Sequence, residues 1–189
     1  GGAGTLPPVH TFEAAEGQVL TFSLVAGGVT CCASVYTPPD GGPWASGTTD
    51  ITSYGGIAGI VDDQHTMFLC AVFLDDSEPV DPAPPRLDFG AAALGEDFLA
   101  LAPAIGQVFY VGDGLTGSGT GLTQAFYVPP TATRLFLGIA DAIEGGDPVS
   151  PPGYYGDNGG QFTAIFDLQP AQVVPTAAGS WGRIKSFYR

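Results

Sequence analysis

Three oxygen-bearing side chains late in the chain, Asp141, Asp157 and Asn158, have the types and order needed to surround a hard cation. Calcium takes about 6–8 oxygen ligands from carboxylates, amide oxygens and backbone carbonyls. Two carboxylates and an amide supply the side-chain share. A glycine-rich loop between them can aim carbonyls inward. Each residue taken singly also suits an ordinary turn, because Asp and Asn side chains bond the local backbone. Their order around one loop is what points to a metal.

The elements that must position them are two strands. The apolar run Arg134–Ala140 ends at Asp141, and the alternating run Gln161–Asp167 follows Asp157 and Asn158. Between them Pro148, Pro151, Pro152, Gly153 and Gly156 forbid a helix and shape a tight loop. The rest of the chain reads as strands and turns. Gln18–Ala26 alternates, with Leu20, Phe22 and Leu24 on one face. Gly27-Gly28 is expected to turn the chain into a second strand, Val29–Tyr36, and Trp44 to plug a sandwich end. Ile57–Val61, Ile105–Val111, Thr123–Val128 and Thr133–Ala140 are further strands. Thr66–Leu74 is the most continuously apolar and belongs in the middle of a sheet. Asp62-Asp63-Gln64-His65 reads as a polar loop, and Asp75–Asp88, with its prolines, as a surface excursion whose carboxylates are solvated. Gly112–Gly121 lacks the GK[ST] ending of a phosphate loop and reads as a hairpin or a sandwich loop. A succession of short strands without a long helical pattern makes a β-sandwich the natural architecture.

At these residues the chain resembles a known family. Asp141 followed by Pro152-Gly153-Tyr154-Tyr155-Gly156-Asp157-Asn158-Gly159-Gly160-Gln161-Phe162 is similar to the calcium loop of the bacterial galactophilic lectins. Ile105–Gly114 and Gln124–Pro129 are similar to two of that family's strands, and the resemblance covers roughly residues 17–168. It implies an all-β, jelly-roll-like β-sandwich of the galactose-binding-like type that binds Ca2+. The implied metal ligands are Asp141, Asp157, Asn158 and the carbonyls of Tyr154 and Tyr54, the latter in a Ser-Tyr-Gly. Asp157 stands where the lectins carry asparagine, which adds charge without removing an oxygen. The implied sugar contacts are Asp141, Asp157 and Asn158, with Gln64 and His65 in a loop corresponding in order to the one that touches sugar in the lectins.

Composition narrows the field. The 189 residues carry 29 Gly and 17 Pro beside 44% hydrophobic residues, which describes a turn-rich chain able to bury a core. One domain with extensions is expected: an arm over 1–16, the sandwich over 17–168, and a linker with a basic aromatic tail over 169–189. In that tail Trp181, Ile184 and Tyr188 would share one face of a short helix. The net charge of −14 repels phosphate backbones, so nucleic acid is not an expected partner, and it concentrates cations. No apolar run reaches the roughly 20 residues of a membrane helix. An acidic, lysine-poor β chain whose start, Gly1–Gly4, reads as processed or trimmed suggests an extracellular or cell-surface protein. Of the three cysteines, Cys31 and Cys32 face opposite sides of a strand. One of them is expected to bridge to Cys70, with Cys32–Cys70 the pairing adopted.

No G-x-S-x-G or HExxH is present, and the two histidines, His10 and His65, form no recognisable triad, so catalysis is not expected. Two functions remain. The leading expectation is a structural subunit of an extracellular assembly or fibre, self-associating through its terminal arms. The alternative is a calcium-dependent, lectin-like carbohydrate binder, in which vicinal sugar hydroxyls replace calcium-bound water.

Overall fold

The computed structural model describes residues 7–31, 36–43, 47–141, 150–153 and 155–170. Trp44, Tyr154 and the basic tail lie outside this set. The described residues form strands, turns and loops only. Two four-stranded sheets dominate. The first has the order β1 (Val9–Thr11), β12 (Arg134–Ile139), β5 (Leu69–Leu74), β8 (Val108–Tyr110), with every pair antiparallel. The second has the order β13 (Gly159–Gln169), β2 (Val19–Thr30), β11 (Ala125–Tyr127), β7 (Ala100–Leu101), the last pair parallel. Beside them lie a small sheet of β3 (Thr49–Asp50), β4 (Ile60–Asp62) and β6 (Leu87–Asp88), and the hairpin of β9 (Leu115–Gly117) and β10 (Thr120–Thr123). Of the two forms expected for the glycine-rich Gly112–Gly121 segment, the hairpin is the one formed.

The sheets face each other across one aromatic core. Phe109 of the first sheet lies 5.1 Å from Phe126 of the second, centroid to centroid, and stacks on Phe73 at 5.2 Å. Phe126 in turn meets Phe22 edge-on at 5.9 Å. Leu20, Val25, Leu69, Ala71 and Leu135 fill the space between. Every residue of β5 is buried, because it runs inside its sheet between β12 and β8 and is covered on both faces.

Three expectations are corrected. The chain does not turn at Gly27-Gly28: β2 continues through both glycines to Thr30, and reversal comes later, where Val29 N–H donates to Thr37 O at 3.0 Å. The glycines serve the β2–β13 pairing instead. A Cβ on Gly27 (φ +107°) would sit 2.3 Å from Gln161 O, and one on Gly160 (φ +82°) would sit 2.2 Å from Gly28 O. Second, part of the expected arm is a strand of the sandwich, since Val9, His10 and Thr11 pair with Phe136, Leu135 and Arg134. Third, the Cys32–Cys70 bridge does not form. Cys70 is free and buried in β5, and its thiol donates to Gly138 O at 3.4 Å across the β5–β12 pair. Cys31 is disulfide-bonded and lies just beyond β2 in the other sheet.

Burial pushes the Cys70 thiol up to about 12. We therefore expect a thiol-reactive probe to leave Cys70 unlabelled in the native protein and to label it on unfolding; labelling at the native rate of an exposed thiol would contradict its burial. Phe126→Ala, which opens the contact between the sheets, is expected to cost about 3–5 kcal/mol in denaturant unfolding. A loss near zero would show that the two sheets do not share this core.

Candidate functional site

The site begins at the end of β4. Asp62 pairs in register with Thr49 of β3 and is fully buried. Its Oδ1 accepts the Gln64 N–H at 2.8 Å and the His65 N–H at 3.1 Å, a local turn that bends the chain immediately after the strand. The Thr49 hydroxyl donates to His65 O at 2.8 Å, so the histidine backbone is held from both sides. The imidazole then reaches Glu96, with Nδ1 and Oε1 2.5 Å apart. Glu96 is fixed through its own carbonyl, which accepts the Gln124 side-chain N–H at 2.7 Å, while the same nitrogen donates to Phe98 O at 2.9 Å.

One ligand atom from each of Asp62, His65 and Glu96 lies within 4.8 Å of the other two. The Asp62 Oδ2 is buried and has no hydrogen-bond partner. Burial first, then the neighbouring Glu96 carboxyl, raises the Asp62 carboxyl from 3.8 to about 7. Hydrogen bonding to Glu96 raises His65 despite its partial burial. Of the three, Glu96 also lines a cavity of about 320 Å³, together with Asp40, Gln64, Asp97, Tyr110 and Thr116. Asp40, Asp62, Glu96 and Asp113 all raise the Tyr110 phenol, though its burial matters most. This corner of the fold is therefore strongly negative.

The oxygens expected to bind calcium are only partly assembled. Asp141 directly follows the buried end of the strand leading out of β12, and the Asn158 amide nitrogen donates to its Oδ2 at 2.9 Å. The Asn158 Oδ1 is buried and has no hydrogen-bond partner. As placed, the amide nitrogen faces the Asp141 carboxylate; a cation between the two side chains would need the amide reversed, with its NH2 taking the buried position now held by Oδ1. The donors here are oxygens throughout, which suits a hard ion. Asp157 is exposed, and Tyr54 is 73% exposed in a turn where its carbonyl accepts the Ile57 N–H at 3.1 Å. Tyr154 lies outside the described residues. The segments do converge: Thr52 N–H donates to Ser150 O at 2.8 Å, and Met67 N–H donates to Ala140 O at 3.2 Å. The loop carrying Gln64 and His65 therefore leaves its sheet beside the strand that delivers Asp141. Gln64 is exposed, whereas the His65 ring is engaged with Glu96.

Asp62 and Glu96 were not among the residues singled out from sequence. Asp62 reads there as the first residue of a solvated loop, and Glu96 as one more acid on an acidic surface. The adjacent Asp62, Gln64 and His65 spacing was the available signal, since an aspartate two and three residues before backbone N–H groups caps a turn. No family model, curated protein or solved structure matches the chain. The reading of the site therefore rests on its chemistry.

The pH dependence of stability follows from the raised groups. Between about 4 and 7 the folded Asp62 carboxyl keeps a proton that the unfolded chain has released, so its contribution to stability is lost as pH rises through that window. His65, also raised, acts in the same direction above its ordinary value of 6.5. In chelator, the melting temperature should fall by several degrees from pH 5 to pH 8, and Asp62→Asn should flatten most of that slope. A wild-type melting temperature that climbs over this range would show the carboxyl is not desolvated as described.

Proposed function

We propose that the chain is a non-enzymatic, calcium-dependent carbohydrate-binding protein that acts outside the cell, built on a jelly-roll-like β-sandwich. The observation that carries this reading is the meeting of Asp141 and Asn158 at the ends of β12 and β13, with the buried Asn158 Oδ1 lacking a partner. Calcium held there by side-chain and loop oxygens would keep one or two coordination positions for water, and vicinal sugar hydroxyls can take those positions. The exposure of Asp157 and Gln64 supports hydrogen bonding to the remaining hydroxyls.

A second reading, a structural subunit of an extracellular assembly in which calcium only stiffens a loop, is favoured by one feature. β13 is 11 residues long and borders its sheet, with β2 as its sole strand partner among the described residues. Such an edge can accept a strand from another copy. It ranks second because residues 9–11 of the arm, one of the elements expected to join copies, are paired within their own sheet.

Calcium titration and glycan binding separate the two. Wild-type protein should bind an immobilised galactoside or a glycan array in calcium and lose that binding in chelator. Asp141→Asn should weaken calcium binding by about tenfold or more, judged against the effect of losing even an indirect ligand partner. Tight calcium binding with no sugar response on any glycan would leave the structural reading; calcium affinity unchanged in Asp141→Asn would remove both.

A further inference from the structure

The cluster at the end of β4 is chemically unlike the oxygen-only pair at Asp141 and Asn158. Calcium needs about 6–8 oxygens, whereas Asp62, His65 and Glu96 offer two carboxylates and one imidazole nitrogen. That donor set suits a borderline divalent ion, and three protein ligands with a fourth position open is the arrangement of accessible zinc sites. We propose that Asp62, His65 and Glu96 form a binding site for a divalent transition-metal ion of the zinc type, distinct from the calcium loop.

Two observations beyond the clustering support it. Asp62 is 0% exposed and its Oδ2 has no donor, although Oδ1 is fully used by the Gln64 and His65 N–H groups. Beyond those two N–H groups the buried carboxyl meets the Glu96 carboxyl, acceptor against acceptor, and a cation is a partner that serves both together. The imidazole is also oriented as a ligand. Its Nδ1 faces the Glu96 carboxylate, and its backbone is pinned by Thr49 Oγ1 and by Asp62 Oδ1. Glu96 is held behind by Gln124, the kind of outer support that fixes metal-binding side chains. A coordinated ion would separate Nδ1 from Oε1, since donors on one zinc at about 2.0–2.2 Å stand more than 3 Å apart. The partly exposed Glu96 side chain can make that adjustment by rotation. Glu96 also lines the cavity, so its side of the cluster is the one that solvent reaches.

The test uses the full chain stripped with chelator and titrated by calorimetry with Zn2+, Mn2+ and Ca2+ in separate runs. Wild-type protein is expected to bind one Zn2+, with Glu96→Gln and His65→Gln each weakening it about tenfold or more and leaving Ca2+ binding as in wild type. Circular dichroism of each variant reports whether it is folded. Co2+ added to the wild type provides a reading free of mutation: visible absorption from a nitrogen- and oxygen-liganded ion, displaced by Zn2+. Zinc binding of equal strength in wild type and both folded variants would place the ion elsewhere and overturn the proposal. No zinc binding and no Co2+ spectrum in the wild type would also overturn it. Asp141→Asn separates this site from the proposed lectin function, because it should change Ca2+ binding and leave Zn2+ binding intact.

Discussion

The stack of rings running from Phe73 through Phe109 and Phe126 to Phe22 is the contact on which the rest of the molecule depends. Neither four-stranded sheet can cover its inner face alone, and this chain of aromatic contacts joins one to the other. Once the two inner faces meet, the outer limits of each strand are set, and the loops fall at the ends of the sandwich. Asp141 follows β12 and Asp62 ends β4, both still buried. The polar chemistry is a consequence of where the apolar packing ends.

Close packing also explains why the two regions have unsatisfied oxygens at all. Burial near the edge of a core withholds water from a carboxylate without guaranteeing a donor in exchange. Asp62 receives two backbone N–H groups on one oxygen and none on the other. The surrounding field makes matters worse, since Asp40, Glu96 and Asp113 stand around the same Tyr110 hydroxyl on a chain whose net charge is −14. Local geometry and global charge therefore act in one direction, towards uptake of positive charge at this corner.

Much of the fold could be read from residue order, and its failures have physical causes. Thr66–Leu74 is legible as a buried central strand because a continuous apolar run has few other uses in an all-β chain, whereas its pairing with the Thr133–Ala140 strand is not. Gly27-Gly28 is ambiguous. Glycine serves a tight turn and a close backbone approach equally well, and only the position of Gln161 O decides for the second. The cysteine pairing needed knowledge of which sheet each strand joins: Cys70 belongs to one and Cys31 follows a strand of the other. At the sites the contrast is one of sequence distance and burial. Asp141 and Asn158, 17 residues apart, flank a single Pro/Gly loop between strands and announce themselves. His65 and Glu96 are 31 residues apart with β5 of the first sheet and β6 of the small sheet between them, and no local pattern joins them.

The acidic residues of this corner are not equivalent, and their hydrogen bonds sort them. Asp113 accepts the Leu115 N–H on one oxygen and the Gly119 N–H on the other, and Asp40 accepts the Asp113 N–H. These two carboxylates shape the β9–β10 hairpin and its approach, which is structural use of charge of the kind expected at any turn. Asp62 begins the same way with Oδ1, but its Oδ2 receives no backbone donor, and the carboxyl lies within reach of His65 and Glu96. Asn158 repeats the pattern beside Asp141, with one amide atom engaged and the other buried without a partner. An acid whose oxygens are all met by main-chain N–H groups stabilises a loop, and adding an ion there would have to displace those bonds. An acid that keeps one buried oxygen for other side chains has no such competitor, and this difference, more than the abundance of carboxylates, sets Asp62 apart from the rest of the acidic surface.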